Sequence, residues 1–389
     1  MQPLKSLSLL SLAVAAALAG CAAQQGGGPA ASAPAQQAAR QASVTRQALA
    51  QGLYELAYST RQNAVFVVSS GGFGPTAAPS KVLRLNPETL AVEAEIPLER
   101  KGFGATLDDA ANRLYVGNTN DGSITVVDTA TNKVVGVAQL AQKAKVTGPD
   151  GKEAERYPHN FREMVVDAAN HRLYAPGLTF KDSALYVVDT RTLQVEKVLP
   201  GFGFVATGVA LDTRGGKLYV SNSQGQLFTV DTRTLAVAKV ETAAGDQLLN
   251  LVVDQGGRRV LATDQGMEMM DGMRAKAGGL ASYQRRGTGN QVVALDPATG
   301  KALASLPTGE GPVALLLDEP RQRLYVTNRG AGTVTVFDTR SNALLQTIPL
   351  PTHPNSLALD AQRNVLYVTV KNGEKDPKGG NESVARIRF

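Results

Sequence analysis

The chain has 389 residues, 43% of them hydrophobic and 19% charged, which is too apolar for a disordered protein and ordinary for a globular one. Its 40 basic and 34 acidic residues leave a net charge of +6, and no block of five like charges occurs, which excludes a polybasic tail. One Cys excludes an internal disulfide framework or multi-thiolate cluster, three His (His159, His171, His353) leave little room for an imidazole-rich metal or multihaem centre, and no 18-residue apolar run beyond the N-terminus suggests a polytopic membrane domain.

Residues 1–20 read as a signal peptide: a short n-region with Lys5, then an Ala/Leu-rich stretch from Leu7 to Leu18 that is too short to span a bilayer comfortably. Leu18-Ala19-Gly20-Cys21 resembles the lipobox of a bacterial lipoprotein, with small residues before the sole thiol of the chain. That resemblance implies lipidation at Cys21, and Ala22-Ala23 in place of an Asp implies an outer-membrane anchor facing the periplasm. Several acyl chains on one residue would hold the protein durably. The Ala/Gln/Gly/Pro-rich residues 21–41 have no hydrophobic period and read as a tether.

Residues 42–389 are self-similar. Arg113-Leu114-Tyr115-Val116 recurs as Arg172-Leu173-Tyr174-Ala175, Lys217-Leu218-Tyr219-Val220 and Arg323-Leu324-Tyr325-Val326, with weaker copies at 64–67, 259–262 and 365–368. Five residues before each copy stands Ser59, Asp108, Asp167, Asp212, Asp254, Asp318 or Asp360. An alternating strand follows each copy and ends in an Asx turn at Asn86, Asp128, Asp189, Asp231, Asp296 or Asp338, where the side chain can bond its own backbone two residues on. These turns are spaced 42, 61, 42, 65 and 42 residues apart. Four short strands in a period of about 40–45 residues predict a propeller blade. Period-2 alternation argues against a helical solenoid, and the absence of Trp against the WD40 variety.

Tyr325-Val326-Thr327-Asn328, with Tyr115-Val116-Gly117-Asn118 and Tyr219-Val220-Ser221-Asn222 beside it, resembles the YVTN-repeat family of seven-bladed β-propellers, its periplasmic YncE-like members in particular. The resemblance implies an all-β propeller of four-stranded antiparallel blades, Tyr packing between blades and Asn capping a turn. Blade 7 has only three strands at the C-terminal end of the sequence, and residues 42–49 are expected to supply the fourth, which removes an open sheet edge.

Insertions at 69–80, 141–159, 264–290 and 371–382 all fall in connections that emerge on one face of a propeller, while the turns of the opposite face stay tight. Long loops on a rigid scaffold are the usual carriers of function. Residues 141–159 and 264–290 each net +1 and 371–382 net zero, whereas nucleic-acid binding calls for a basic stripe with stacking rings, for which Phe103, Phe202, Phe204, Tyr157 and Tyr283 are available.

Strand a of each blade lines the axis. Four residues before the repeat Asp or Ser stand Glu55, Gly104, Glu163, Gly208, Asn250, Ala314 and Ser356, where small residues are expected and two Glu are not. With Arg162, His159 and His353 nearby, Glu55, Glu163, Asn250 and Ser356 form a candidate channel-mouth site for a cation or small polar ligand, or for acid/base work. Met267, Met269, Met270 and Met273, four of the six Met, crowd one insertion and suit a partner surface, a soft metal, or packing of a short helix. No nucleophile elbow, P-loop or zinc spacing is present, and no cofactor is required. The reading is a monomeric envelope binding or scaffold module, held to the membrane by its lipid anchor and engaging an envelope protein or small polar ligand. Its alternatives are a lactonase- or dehydrogenase-like enzyme and a nucleic-acid binder.

Overall fold

The computed structural model describes residues 42–147, 153–256, 258–277 and 280–389. The signal peptide, Cys21 and the tether lie outside them. No helix among the described residues is long and apolar enough to cross a membrane.

The described chain forms seven antiparallel sheets arranged as blades. Blade 1 runs Leu53–Ser59, Ala64–Ser69, Lys81–Leu85 and Val92–Pro97 from inner to outer strand; blades 2, 4, 5 and 6 repeat this order. Blade 3 departs from it, because its inner strand is split into Asn160–Phe161 and Val165–Asp167, both paired with Arg172–Leu178. In blade 7 the order is His353–Asp360, Val365–Lys371, Glu382–Arg388 and then Ser43–Ala50, which pairs antiparallel from Ser43↔Arg388 to Ala50↔Glu382. Neighbouring inner strands pack against one another all the way around the ring.

Burial explains the residue pattern. Second strands such as Ala64–Ser69 are buried on both faces and read as continuous apolar runs, whereas outer strands such as Val92–Pro97 are largely exposed. Alternate side chains of one strand serve two different interfaces. Val65 and Val67 join Tyr367 and Val384 of blade 7, while Phe66 and Val68 join Leu114 and Val116 of blade 2. Each such fully buried aliphatic or aromatic side chain contributes about 1.5–3 kcal/mol.

The repeated polar residues hold the frame. Tyr367 Oη donates to the Pro87 carbonyl in the blade 1 turn at 2.9 Å, and Tyr115 reaches Thr190 in the turn of blade 3. Asn118 and Asn328 each cap the next hairpin through a pair of hydroxyls, Ser123 and Thr125 in one case, Thr333 and Thr335 in the other. The Asx turns accept two backbone N–H groups each, as at Asp231 from Arg233 and Thr234 at 3.1 and 2.8 Å.

Candidate functional site

One irregularity recurs at the top of the inner strands. The register slips between Leu53 and Leu56, Gly102 and Ala105, Ala206 and Val209, Leu248 and Leu251, Pro312 and Leu315, and Pro354 and Leu357. In blade 3 the corresponding gap is the break between its two inner segments. Such bulges re-aim the residues they contain. Here they contain Tyr54-Glu55, Phe103-Gly104, Arg162-Glu163, Leu249-Asn250 and Asn355-Ser356.

The Thr of the YVTN motif fastens this ring. Thr369 Oγ1 accepts the Ser356 N–H of its own blade at 3.0 Å and donates to the Tyr54 carbonyl of the next at 2.8 Å. Thr327 does the same between Ala314 and Asn355, and Thr263 between Asn250 and Val313. Blades 2 and 3 have Gly117 and Pro176 instead. There the Met164 methyl and the Phe161 carbonyl crowd Gly117, and the Arg162 carbonyl lies 1.3 Å from where a Cβ on Gly104 would stand. The bridged ring is thus replaced, in this sector, by close backbone packing that delivers Glu163.

Glu163 and Glu55 face one another electrostatically. Burial pushes the Glu163 carboxyl up to about 7, and the Arg162 guanidinium only partly opposes this. Burial also raises Glu55 well above the carboxylate range, and the Glu163 charge raises it further. The Ser356 hydroxyl donates to Glu55 Oε1 and, with the Leu56 N–H, pulls the other way. Two carboxylates whose charges interact resist ionising together, so the pair is suited to holding a proton at neutral pH.

Beside this pair lies a cluster of rings and cations, of which the sequence pointed to Phe103 and Arg162 but not to Tyr54, Phe73, Lys101 or Lys371. Tyr54 and Phe103 approach to 4.1 Å between centroids, and Phe73, from the 69–80 insertion, stands 5.6 Å from Phe103. Each ring has a cation over it: Lys371 Nζ at 3.8 Å from Tyr54, Arg162 at 6.0 Å from Phe103 and Lys101 at 5.3 Å from Phe73. Lys371 is buried and pairs with Glu382 at 3.0 Å, whose carboxylate also accepts the Leu53 N–H at 2.6 Å. Burial lowers the Lys371 pKa, against the pull of Glu382. Burial raises the Tyr54 pKa, and the charges of Arg162 and Arg329 draw it back. The signal for Tyr54 was available: like Phe103 and Arg162, it lies one residue before the positions that singled out Glu55, Gly104 and Glu163.

The remaining sequence candidates are placed as follows. Asn250 spends its amide on the Val313 carbonyl at 3.0 Å, tying blade 5 to blade 6. His353 Nδ1 meets the Arg329 carbonyl at 2.8 Å. His159 is held by Tyr186 Oη at 2.9 Å and the Asp182 carbonyl at 3.4 Å, over the outer part of blade 3, and burial lowers its pKa. The structure thus groups Glu55, Glu163, Arg162 and Ser356, and gives His159 partners of its own.

Two of the insertions carry secondary structure among the described residues. Within 141–159, Ala144–Thr147 pairs with Glu153–Arg156 as a hairpin, and Tyr157 packs on Gly122 of blade 2. Within 264–290, Glu268–Lys276 is a helix. Its Met270 and Met273 pack on Leu178, Phe180, Phe204 and Val205, whereas Met267 and Met269 are exposed. Arg274, also buried, stacks on Tyr283 at 4.6 Å and meets Asp246 at 3.4 Å, so the helix is pinned at its C-terminal end. No cluster of three or more His, Cys, Asp or Glu able to hold a metal occurs among the described residues.

No protein-family model matches the chain. Uncharacterized protein YncE of Salmonella typhimurium is 31% identical over 309 residues, which cover 77% of this chain and 76% of the relative. Uncharacterized protein YncE of Escherichia coli (strain K12) is 33% identical over 192 residues, 47% of this chain and 50% of that one. Among solved structures, the WD40 repeats of RRP9 and U3-55K each superpose with a TM-score of 0.66 at 10% identity, covering 89% of this chain and 97% and 98% of those chains. At that identity the likeness is one of fold alone. The seven-bladed ring, its YVTN-type straps and the extent of the YncE match together place the chain in the YncE family.

Proposed function

We propose that the protein is a non-enzymatic binding module of the bacterial envelope whose ligand docks on the loop-bearing face, at the channel mouth. The observation that carries this reading is the ladder of Tyr54, Phe103 and Phe73 with Lys371, Arg162 and Lys101 over its rings. Flat rings stack on aromatic side chains of any neighbour, and adjacent cations attract negative charge. The ligand chemistry this suits is a polyanion carrying planar groups, and single-stranded nucleic acid is the direct probe. Fluorescence anisotropy with a labelled single strand should show binding that weakens steeply with salt. Phe103 is buried and framework-bound, so the variants are Phe73→Ala and Arg162→Ala, each expected to weaken binding about tenfold or more. Arg191→Ala and Arg233→Ala, on the opposite face, should leave it unchanged. Equal binding by all four variants overturns the reading.

A second reading rests on the carboxylate pair. With burial raising Glu163 to about 7 and also raising Glu55 above the ordinary carboxylate value, one of them is suited to general acid/base work of lactonase or dehydrogenase type. Turnover in a lactone and alcohol screen that disappears in Glu163→Gln would establish it. The envelope address rests on the lipobox at Leu18–Cys21. Cys21→Ala should release the protein from the membrane fraction or block its processing, and unchanged membrane association would count against lipidation.

A further inference from the structure

Five of the seven outer strands carry the same bulge, and they differ in what they place on it. In blades 1, 2, 3, 5 and 6 the register with the third strand slips near the start of the outer strand, which leaves Glu93, Val135, Glu196, Leu303 and Leu345 outside the ladder. Glu93 and Glu196 turn this position to an ion pair, with Arg84 at 3.3 Å and Arg172 at 2.8 Å. Leu303 and Leu345 stand there bare, 49% and 48% exposed. The strands that carry them, Ala302–Pro307 and Leu344–Pro349, are also the two outer strands without a charged residue. Leu344 beside Leu345, and Val44 on the outer strand of blade 7, extend the exposed apolar surface over three consecutive blades.

This surface lies at the root of the N-terminal segment. Ser43 pairs with Arg388, which pairs in turn with Val365 just after the tight turn between the first two strands of blade 7, so the chain enters the ring at its tight-turn end. Leu303 and Leu344 lie at the start of their strands, at that same end, just after the turns capped by Asp296 and Asp338. Ala42 packs on the cluster shared by blades 6 and 7, with Ile348 and Leu350. Residues 22–41, read as a tether, would span about 25 Å, so an anchor at Cys21 keeps this corner close to whatever holds it. Lys301, Arg340 and Arg388 are exposed around it. Apolar surface bordered by basic residues fits the interface of an anionic bilayer. It does not fit strand addition, because the bulges and Pro307 and Pro349 spoil both edges. Blade 2 exposes Val134, Val135 and Val137 as well, but its outer strand opens with Lys133, and the acidic outer strand of blade 1 separates it from the root.

We infer that the outer rim of blades 5 to 7 is a membrane-contact surface, with Leu303, Leu344, Leu345 and Val44 set into the headgroup region of a phospholipid bilayer and the loop-bearing face turned away from it. The inference rests on the reading of Cys21 as a lipid anchor and adds a second contact to it. A tether by itself leaves the ring free to turn, whereas a second contact fixes which face meets the periplasm. The aliphatic side chains gain by leaving water, and Lys301, Arg340 and Arg388 stay at the level of the headgroups.

The full chain, purified from membranes and reconstituted in vesicles of phosphatidylethanolamine and phosphatidylglycerol, tests it. Acylation occupies the Cys21 thiol, so one introduced cysteine can carry a fluorophore, and a nitroxide-labelled lipid in the same vesicles reads its closeness to the bilayer. Probes at Leu345→Cys and Leu303→Cys should lose about half of their emission or more. Probes at Val135→Cys on blade 2 and Phe73→Cys on the loop-bearing face should lose little. Adding Leu344→Asp and Val44→Asp should abolish the quenching at Leu303→Cys with an unchanged melting point, since both side chains are exposed. Flotation separates the two readings: a chain that does not float with the vesicles defeats the anchor, and this inference with it. In a chain that floats, an unquenched Leu345→Cys probe, equal quenching at Val135→Cys, or quenching that survives the Asp pair overturns this inference alone. An unquenched Leu345→Cys probe that crosslinks to an envelope protein in cells would assign the surface to a protein instead.

Discussion

The two faces of the ring put the same residue type to opposite uses. On the tight-turn face, carboxylates are stabilised in their charged form. Arg191 holds Asp189 low, Lys217 holds Asp231 low, and the turn N–H groups of Ala298 and Thr299, and of Ser341, do the same for Asp296 and Asp338. Toward the loop-bearing face, burial pushes Glu55 and Glu163 up, where the charged form is disfavoured. The first set is scaffold: each carboxylate terminates a hairpin and is fully satisfied. The second set opposes stability at neutral pH and closes no turn. Groups held in an unfavourable state by their surroundings mark sites that serve something other than the fold.

The comparison can be broken at several points. The largest expected effect is at Lys371, which sits under Tyr54 and neutralises buried Glu382. Lys371→Ala leaves that carboxylate unpaired and should cost about 3 kcal/mol, read from urea denaturation. A loss below about 1 kcal/mol would mean that the loop-face cluster is not part of the packed frame.

The next effect has the opposite sign. Folded Glu163 keeps its proton up to about 7, and the unfolded chain loses it near the ordinary value of 4.5. Between these values the folded state binds more protons, so stability falls as pH rises through the window, and the full penalty persists above it. Glu163→Gln should therefore stabilise the protein at pH 8, by on the order of 2 kcal/mol, and make little difference below pH 4.5. The turn carboxylates run the other way: their contribution is present above their unfolded pKa and is lost as pH falls through the depressed folded values. A variant no more stable than the parent at pH 8 would remove the contrast between the faces.

The smallest effects separate the methionines of the inserted helix. Met273→Ala should cost about 1 kcal/mol, because the side chain packs with Phe180, Phe204 and Val205. Met269→Ala, at a position 57% exposed, should stay within about 0.5 kcal/mol. Equal costs would mean that the helix does not lie on blade 3 as described.

Much of this frame was legible in the sequence because the repeat residues act within a blade or on its neighbour. Tyr115, Asn118 and Asp128 recur at fixed offsets, and their partners recur with them. The candidate cluster was legible only in part. Glu55, Glu163 and Ser356 stood out against small residues at equivalent positions. Tyr54 and Lys371 did not, because their meeting depends on ring closure between blades 1 and 7, far apart in sequence. The 141–159 hairpin and the helix at 268–276 fall off the period altogether, so the spacing gave their location and no internal structure. The Met-rich stretch drew attention as a unit, but helical geometry divides it into packed Met270 and Met273 and exposed Met267 and Met269.

The contrast between the faces is tested most directly by following individual carboxyl carbons by NMR as pH is varied. One Glu carboxyl should titrate near 7 and vanish from the spectrum of Glu163→Gln, while Asp189 and Asp231 remain ionised well below the usual range. Titration of every Glu below pH 5 would contradict the account.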